Sequence, residues 1–348
     1  MLHEAPLISI IIPIYNNSRQ DIERCLDSII RQNYPSYEII IIDDGSDEAL
    51  ARYLDHLCND KGITVFHQKN CGVSAARNRG IRLSKGRYIA FIDADDFISN
   101  SFFSEFDYLV DIYGDSADIF YGYIEYSEYP QVDKLKSIER PTVYSEKLDA
   151  SLKQRLGQHM IDLSSPCFKK GRLYISRGPV AKIIKRELAI KCPFDTELRQ
   201  GEDIIWNLNL LSLNPCCVFV HSLWYHYVFN PKSATHSFSA STISDYECFL
   251  FKLQKFIADD TLKINYLRRT LELICTLKKN FMPHRADRGE LYVTSRLVKR
   301  EPWNFAFHWR YGVNLHGKLF VKFLLIKLGL FDFVYSVRNH LSYVFSHR

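Results

Sequence analysis

Apolar residues recur along this chain with two different periods, and the switches between them mark its elements. Short runs rich in branched and aromatic residues, Ile8–Ile14, 38–43, Ile63–His67 and 87–92, have the length and composition of buried strands. Between them, apolar side chains return every three or four positions. Ile22, Cys25, Leu26, Ile29 and Ile30 would line one face of a helix, with Ser18 and Asp21 spaced as a capping box at its start. Further helices are expected over 48–59 and 74–83, closing near Gly62 and Gly86, because glycine readily takes the left-handed conformation that ends a helix. Strands alternating with helices predict an α/β fold, a mixed, mostly parallel sheet with helices on both faces.

The pattern weakens beyond Ser101. A helix is expected at Phe102–Tyr113 and a strand at 119–126, whereas 130–178 is polar and irregular and reads as a loop region. Order returns with a helix from near Lys185, a loop over 193–201, a helix over 202–213 and an aromatic strand over 223–229. A stretch rich in Ser, Thr and Pro then leads into a helical, basic C-terminal region. Two domains follow, 1–230 and 231–348.

Composition sharpens this picture. With 348 residues, 47% of them apolar, the chain is no disordered protein, since it has enough apolar surface to offset the entropy of ordering. The net charge of +5 hides an asymmetry: residues 268–348 carry 15 Lys and Arg against 5 Asp and Glu, and the rest is mildly acidic. Nine cysteines without a C-x-x-C pair indicate neither a zinc knuckle nor a disulfide framework; mostly buried thiols in a reducing cytoplasm are expected. The first residues lack the basic start of a secretory signal. The most apolar late stretch, 319–337, is broken by Lys322, Lys327 and Asp332, so no membrane-spanning helix is expected.

Two of the strands end in acids: Asp43 and Asp44 in IIIIDDGSD, and Asp93, Asp95 and Asp96 in YIAFIDADDF. Open α/β sheets bind ligands at the carboxyl ends of their strands, which puts both groups on one rim. Carboxylates so gathered repel one another unless a cation joins them. Mg²⁺ or Mn²⁺ bridging to a diphosphate is the natural partner, because such ions take one or two carboxylates and complete their shell with phosphate and water.

The series SIIIPIYN, EIIIIDDGSDE, NCGVSAARNRG and GRYIAFIDADD, followed at a distance by FDTELRQGEDIIW, resembles the inverting family 2 glycosyltransferases of GT-A fold. That resemblance implies a catalytic domain followed by a helical region, and a nucleotide-sugar donor. Pro13 and Tyr15 would wall the base slot, and Asp44 would accept a hydrogen bond from an imide N–H such as that of uracil, which favours a UDP-sugar. Arg77, with Asn78 as a weaker candidate, would contact base or phosphates. Asp95 would face the ribose and share the metal with Asp96, while Asp93 would support the loop; Asp93 and Asp43 are weaker site candidates. Asp203, seconded by Glu202, would be the base that takes the proton of the acceptor hydroxyl, at a helix start where the dipole favours a carboxylate. Lys182 matches a basic position of the family with no settled role. Trp206 and Trp224, with Tyr225 and Tyr227, would either offer a wall for a sugar ring or pack in the core, and His226 or His236 would be a further metal or phosphate contact or a structural residue.

The resemblance further implies an acceptor on a lipid-linked bacterial surface glycan. No Gln-x-x-Arg-Trp motif follows the acid pair, which favours one sugar per encounter. The basic, aromatic tail either docks on an anionic membrane surface or packs against protein; no nucleic-acid-binding module accompanies its charge. A nucleotidyltransferase would carry a Gly-rich loop after the first strand, absent from IIPIYNNS, and a non-catalytic relative would not need the intact acids.

Overall fold

The computed structural model describes residues 6–60, 63–127, 143–163, 166–228, 241–281 and 294–334. The chain divides into two units, Met1–Ser233 and Ala234–Arg348. In the first, β1 (Ile8–Ile14) lies between β2 (Tyr37–Asp43) and β4 (Tyr88–Phe91), parallel to both, with β3 (Ile63–His67) outside β2. All four therefore open their carboxyl ends on the same edge. The sheet continues from β4 through β10 (Lys182–Lys185), β6 (Ile119–Ser127) and β11 (Cys217–Val228) to the two-residue β5 (Phe97–Ile98). Because β10 is antiparallel to both β4 and β6, and β11 is parallel to β6, the last residues of β6 and β11 return to that edge.

The two-residue repeat of a strand decides which helix covers which face. Ile39 and Ile41 of β2 point into a core shared with Ile22, Leu26 and Ile29 of α1 (Arg19–Ile30) and Leu54 of α2 (Glu48–Asp60). Ile40 and Ile42 point the other way, onto Ala76 of α3 (Val73–Leu83). Helix α4 (Phe102–Tyr113) joins the first face through Phe102, Phe103 and Phe106. Ser18 caps α1 as its spacing predicts, accepting from the Asp21 N–H at 3.1 Å.

Three expectations need correction. The stretch read as loop contains β7 (Ser145–Lys147), the 13-residue α5 (Ala150–Asp162), β8 (Lys169–Lys170) and β9 (Leu173–Tyr174). Asp149 caps α5 and Leu156, Met160 and Ile161 bury its face, but interleaved Lys, Gln and Arg mask the period. Second, β11 starts at Cys217 and runs along β6 from Ile119 onward, with register shifts on the way. Third, α3 ends on Ser84, and Gly86 serves close approach instead of a cap: a Cβ there would lie 2.6 Å from the Ser9 nitrogen. Gly62 lies outside the described residues. Short α6 (Arg186–Lys191) and α7 (Glu202–Ser212) complete the unit.

The second unit is helical: α8 (Thr242–Gln254), α9 (Asp260–Phe281), α10 (Thr294–Leu297), α11 (Trp309–Gly312) and α12 (Gly317–Lys327). Leu250, Tyr266, Leu271, Trp303 and Phe323 are buried in it, while Trp309, Val313, Leu328, Leu330 and Phe333 are exposed. No helix among the described residues is long and apolar enough to cross a membrane. The eight described cysteines form no disulfide; Cys25, Cys192 and Cys217 are buried, Cys71 is exposed and the other four are half-buried, so fewer are buried than expected.

Candidate active site

Immediately after β4 the chain turns, the Asp96 N–H closing onto the Asp93 carbonyl at 3.0 Å. This turn is pinned from β11. The Tyr225 hydroxyl accepts the Asp93 N–H at 3.0 Å and donates to the Asp96 carboxylate at 2.7 Å, whose other oxygen accepts the Val228 N–H at 2.8 Å. Asp96 is wholly buried, and burial, then repulsion from Asp93 and Asp95, pushes its pKa well up. Both Asp96 oxygens thus meet protein donors, so this acid, expected from sequence at the metal, stands as a buried tie between the turn and β11. Asp93 and Asp95 are the half-exposed acids of the turn. From α1, Arg24 reaches the Asp95 carbonyl at 2.5 Å while held by Asp21 at 2.7 Å.

The turn is connected to α7 by one side chain. Arg77, on α3 and buried, donates to Asp203 at 2.8 Å and to Asp93 at 3.0 Å, with its guanidinium 5.4 Å from the Phe194 ring centre. Burial works against its charge, but Asp203, Asp93 and Glu202 outweigh it and raise its pKa. The Arg77 Nε is buried without a hydrogen-bond partner among the described residues. Asp203 stands in the first turn of α7, after Gly201 in the left-handed conformation (φ 77°), with 28% of its side chain exposed. Burial raises its pKa, Arg77 opposes this, and Asp93 adds to it. Glu202 is likewise raised, by burial and then by Asp203.

Lys182 opens β10 and is buried. Its ammonium donates to the carbonyls of Ser176, at 2.8 Å, and Gly178, and sits 5.5 Å from the Tyr121 ring centre. Burial pushes its pKa down to about 7, with Asp203 pulling the other way. Asn207, one turn along α7, donates to the carbonyls of Asp203 at 2.8 Å and Arg177 at 2.7 Å. Neither Asn207 nor Arg24 stands out in the sequence; for Asn207 the available signal is an amide four residues after the acid, on the same helix face.

The other predicted residues have partners of their own. Asp44 is buried and accepts from Gln68 at 2.7 Å, the Cys71 N–H at 2.9 Å and the Gly72 N–H at 2.8 Å, so it shapes the loop that starts α3. Asp43 accepts from the Ser46 N–H at 3.0 Å and meets His67 at 2.7 Å, raising the histidine's pKa. Asn78 clasps both backbone groups of Phe194, at 2.8 and 2.7 Å. Trp206, Trp224 and Tyr225 are core, not a sugar wall: Trp206 stacks on Phe194 at 4.3 Å and donates to the Cys192 carbonyl. His226 stacks on Phe97 and engages Ser99 and Glu125 through its two ring nitrogens, so neither is presented to a metal. Tyr15 is 55% exposed beside the half-buried Pro13 at the end of β1. His236 lies outside the described residues.

No group of three His, Cys, Asp or Glu among the described residues is arranged to hold a metal by itself. Asp93 and Asp95 offer only hard oxygen donors on a half-exposed turn. That donor set fits Mg²⁺ or Mn²⁺ in the mode where the protein supplies one or two carboxylates and a bound diphosphate the remainder.

Residues 9–169 match the family described as Glycosyl transferase family 2. A relative from Bacillus subtilis (strain 168), the uncharacterized glycosyltransferase EpsJ, is 43% identical over 99 residues, 28% of each chain. The chain thus spans little more than a quarter of that relative's length. Among solved structures, residues 1–349 of S. aureus TarS in complex with UDP-GlcNAc superimpose with a TM-score of 0.59 at 18% identity, covering 96% of this chain and 91% of that one. GalNAc-T7 with UDP, GalNAc and Mn²⁺ does so with a TM-score of 0.53 at 16% identity, covering 91% and 59%. Residues 9–169 thus resemble glycosyl transferase family 2, and the chain shares the GT-A fold of these solved structures.

Proposed function

We propose that the protein is an inverting, metal-dependent glycosyltransferase that moves one sugar from a UDP-sugar to a hydroxyl of a lipid-linked surface glycan. The observation that carries this is the joining of Asp93 and Asp203 by the single guanidinium of Arg77, which sets a donor-side acid and a candidate base on two sides of one cation. Asp203 would take the proton of the acceptor hydroxyl as its oxygen bonds to the anomeric carbon from the face opposite the leaving diphosphate. Arg77 and the α7 dipole favour the carboxylate form that a base requires. Asp93 and Asp95 would hold the divalent ion, whose Lewis acidity stabilises the charge gathered on the departing diphosphate. Pro13 and Tyr15 would flank the base. A carboxylate has about four lone-pair sites, so Asp44 keeps one for the base after its three protein donors. TarS bound to UDP-GlcNAc and GalNAc-T7 bound to UDP and Mn²⁺ support a UDP-linked donor and a metal for this fold.

The exposed Trp309, Leu328, Leu330 and Phe333, within a basic region, support docking of the second unit on an anionic membrane from the cytoplasmic side. The donor is tested by thermal shift of the full chain against UDP-, dTDP- and GDP-sugars with and without Mn²⁺. A UDP-sugar should raise the melting temperature only with the metal; no shift with any donor defeats the reading.

A further inference from the structure

Lys182 is a buried ammonium to which the reaction above gives no task. Burying such a charge is expensive unless it is well partnered, and the partners here are two carbonyls, those of Ser176 and Gly178, and the face of Tyr121. Both carbonyls belong to the strand-to-strand segment that walls Asp203. A Cβ on Gly178 would lie 3.8 Å from the Asp203 Oδ2, while Arg77 occupies Oδ1. The Asn207 amide grips the same segment through the Arg177 carbonyl at 2.7 Å and returns to the Asp203 carbonyl at 2.8 Å. One network therefore runs from the ammonium through the 176–178 backbone to both ends of the candidate base.

We infer that Lys182 is a positioning residue for Asp203: it ties the 176–178 segment against Oδ2 and presents a second positive charge to the carboxylate that Arg77 grips at Oδ1. This rests on Asp203 being the base. The charged and titratable groups that bear on the pair are few. From α3 comes Arg77, from the β4 turn Asp93, from α7 Glu202, and from β6 the Tyr121 phenol next to the Cys217 thiol of β11; the Arg177 guanidinium of the same segment donates to the Ile161 carbonyl. Burial lowers the Lys182 pKa towards neutrality, so its charge is present below about pH 7 and its influence on Asp203 is greatest there.

The test needs neither donor nor acceptor. The full chain is labelled with ¹³C at aspartate carboxyls and titrated by NMR, the Asp203 signal being identified by its loss in Asp203→Asn. Lys182→Met should move the Asp203 titration upward by about one pH unit, the low end for loss of a nearby opposite charge, and Lys182→Arg should restore it. An unchanged Asp203 titration in Lys182→Met overturns the inference. Should that variant not fold, Lys182→Gln keeps N–H donors without the charge and carries the same expectation and the same refutation. Failure of the base assignment would look different: Asp203→Asn would retain sugar transfer while the titration still responded to Lys182.

Discussion

Replacing Asp96 with alanine separates architecture from chemistry at the acid turn. The substitution strands two donors, the buried Tyr225 hydroxyl at 2.7 Å and the Val228 N–H at 2.8 Å. Each unsatisfied group costs about 1–3 kcal/mol, partly offset by relief of a buried carboxyl repelled by Asp93 and Asp95. A net loss of about 2–4 kcal/mol follows, and at about 2–4 °C per kcal/mol for a unit of this size the melting temperature should fall by roughly 5–15 °C. Asp95→Asn, on a half-exposed side chain, should change stability by about 0.5 kcal/mol or less and abolish the response to Mn²⁺. Thermal unfolding in chelator, then with Mn²⁺ and UDP, reads both effects. An Asp96→Ala protein that melts like the wild type but ignores Mn²⁺ would refute the reasoning and return the metal to Asp96. The pH dependence gives a second check. Folded Asp96 keeps its proton where the unfolded chain has lost it, so its contribution to stability is full below the ordinary carboxylate pKa and is lost as pH rises through the raised value. Asp96→Asn should remove that slope.

Four further outcomes are expected. Asp203→Asn should bind donor with unchanged affinity by calorimetry but lose transfer by about 10²–10⁴; persistent transfer would send the search to another base. Asp44→Ala removes three hydrogen bonds from the loop before α3 and should cost about 3 kcal/mol, seen as a lower denaturation midpoint. Gly122→Ala would force a Cβ to 2.5 Å from the buried Trp224 ring and should cost about 1–3 kcal/mol in the same assay. Leu330→Ser with Phe333→Ser, both exposed, should reduce sedimentation with anionic vesicles without altering the melting temperature; equal binding would argue against membrane docking.

The parallel core was readable because its strands are runs of branched residues and its helices keep a clean three-to-four spacing, and β1 and β3 match their expected bounds residue for residue. Helix α5 was not, since polar residues break its period and its burial depends on α7, far along the chain. The acids were legible as a group, but their division of labour was not. Nothing local in Asp93-Ala94-Asp95-Asp96 tells that the last acid turns inward; that is decided by Tyr225, whose ring looked from sequence like a sugar contact. Arg77 was legible as functional, yet its two partners lie 16 and 126 residues away, a pairing that only the folded sheet reveals.

The tie between Asp96 and β11 also bears on how the molecule comes to exist. Its anchors stand 129 and 132 residues downstream, in the last strand of the unit to be synthesised. Closing so long a loop is entropically slow, so a nascent chain has its parallel sheet long before its acid turn can settle. A fragment ending at residue 169, where the family match stops, would contain every donor-side acid and still lack Lys182, Asp203 and the Tyr225 that ties the turn down. Competence should therefore appear late and all at once, when β11 docks beside β6, and excision of the matched segment alone should yield a sheet without a working site.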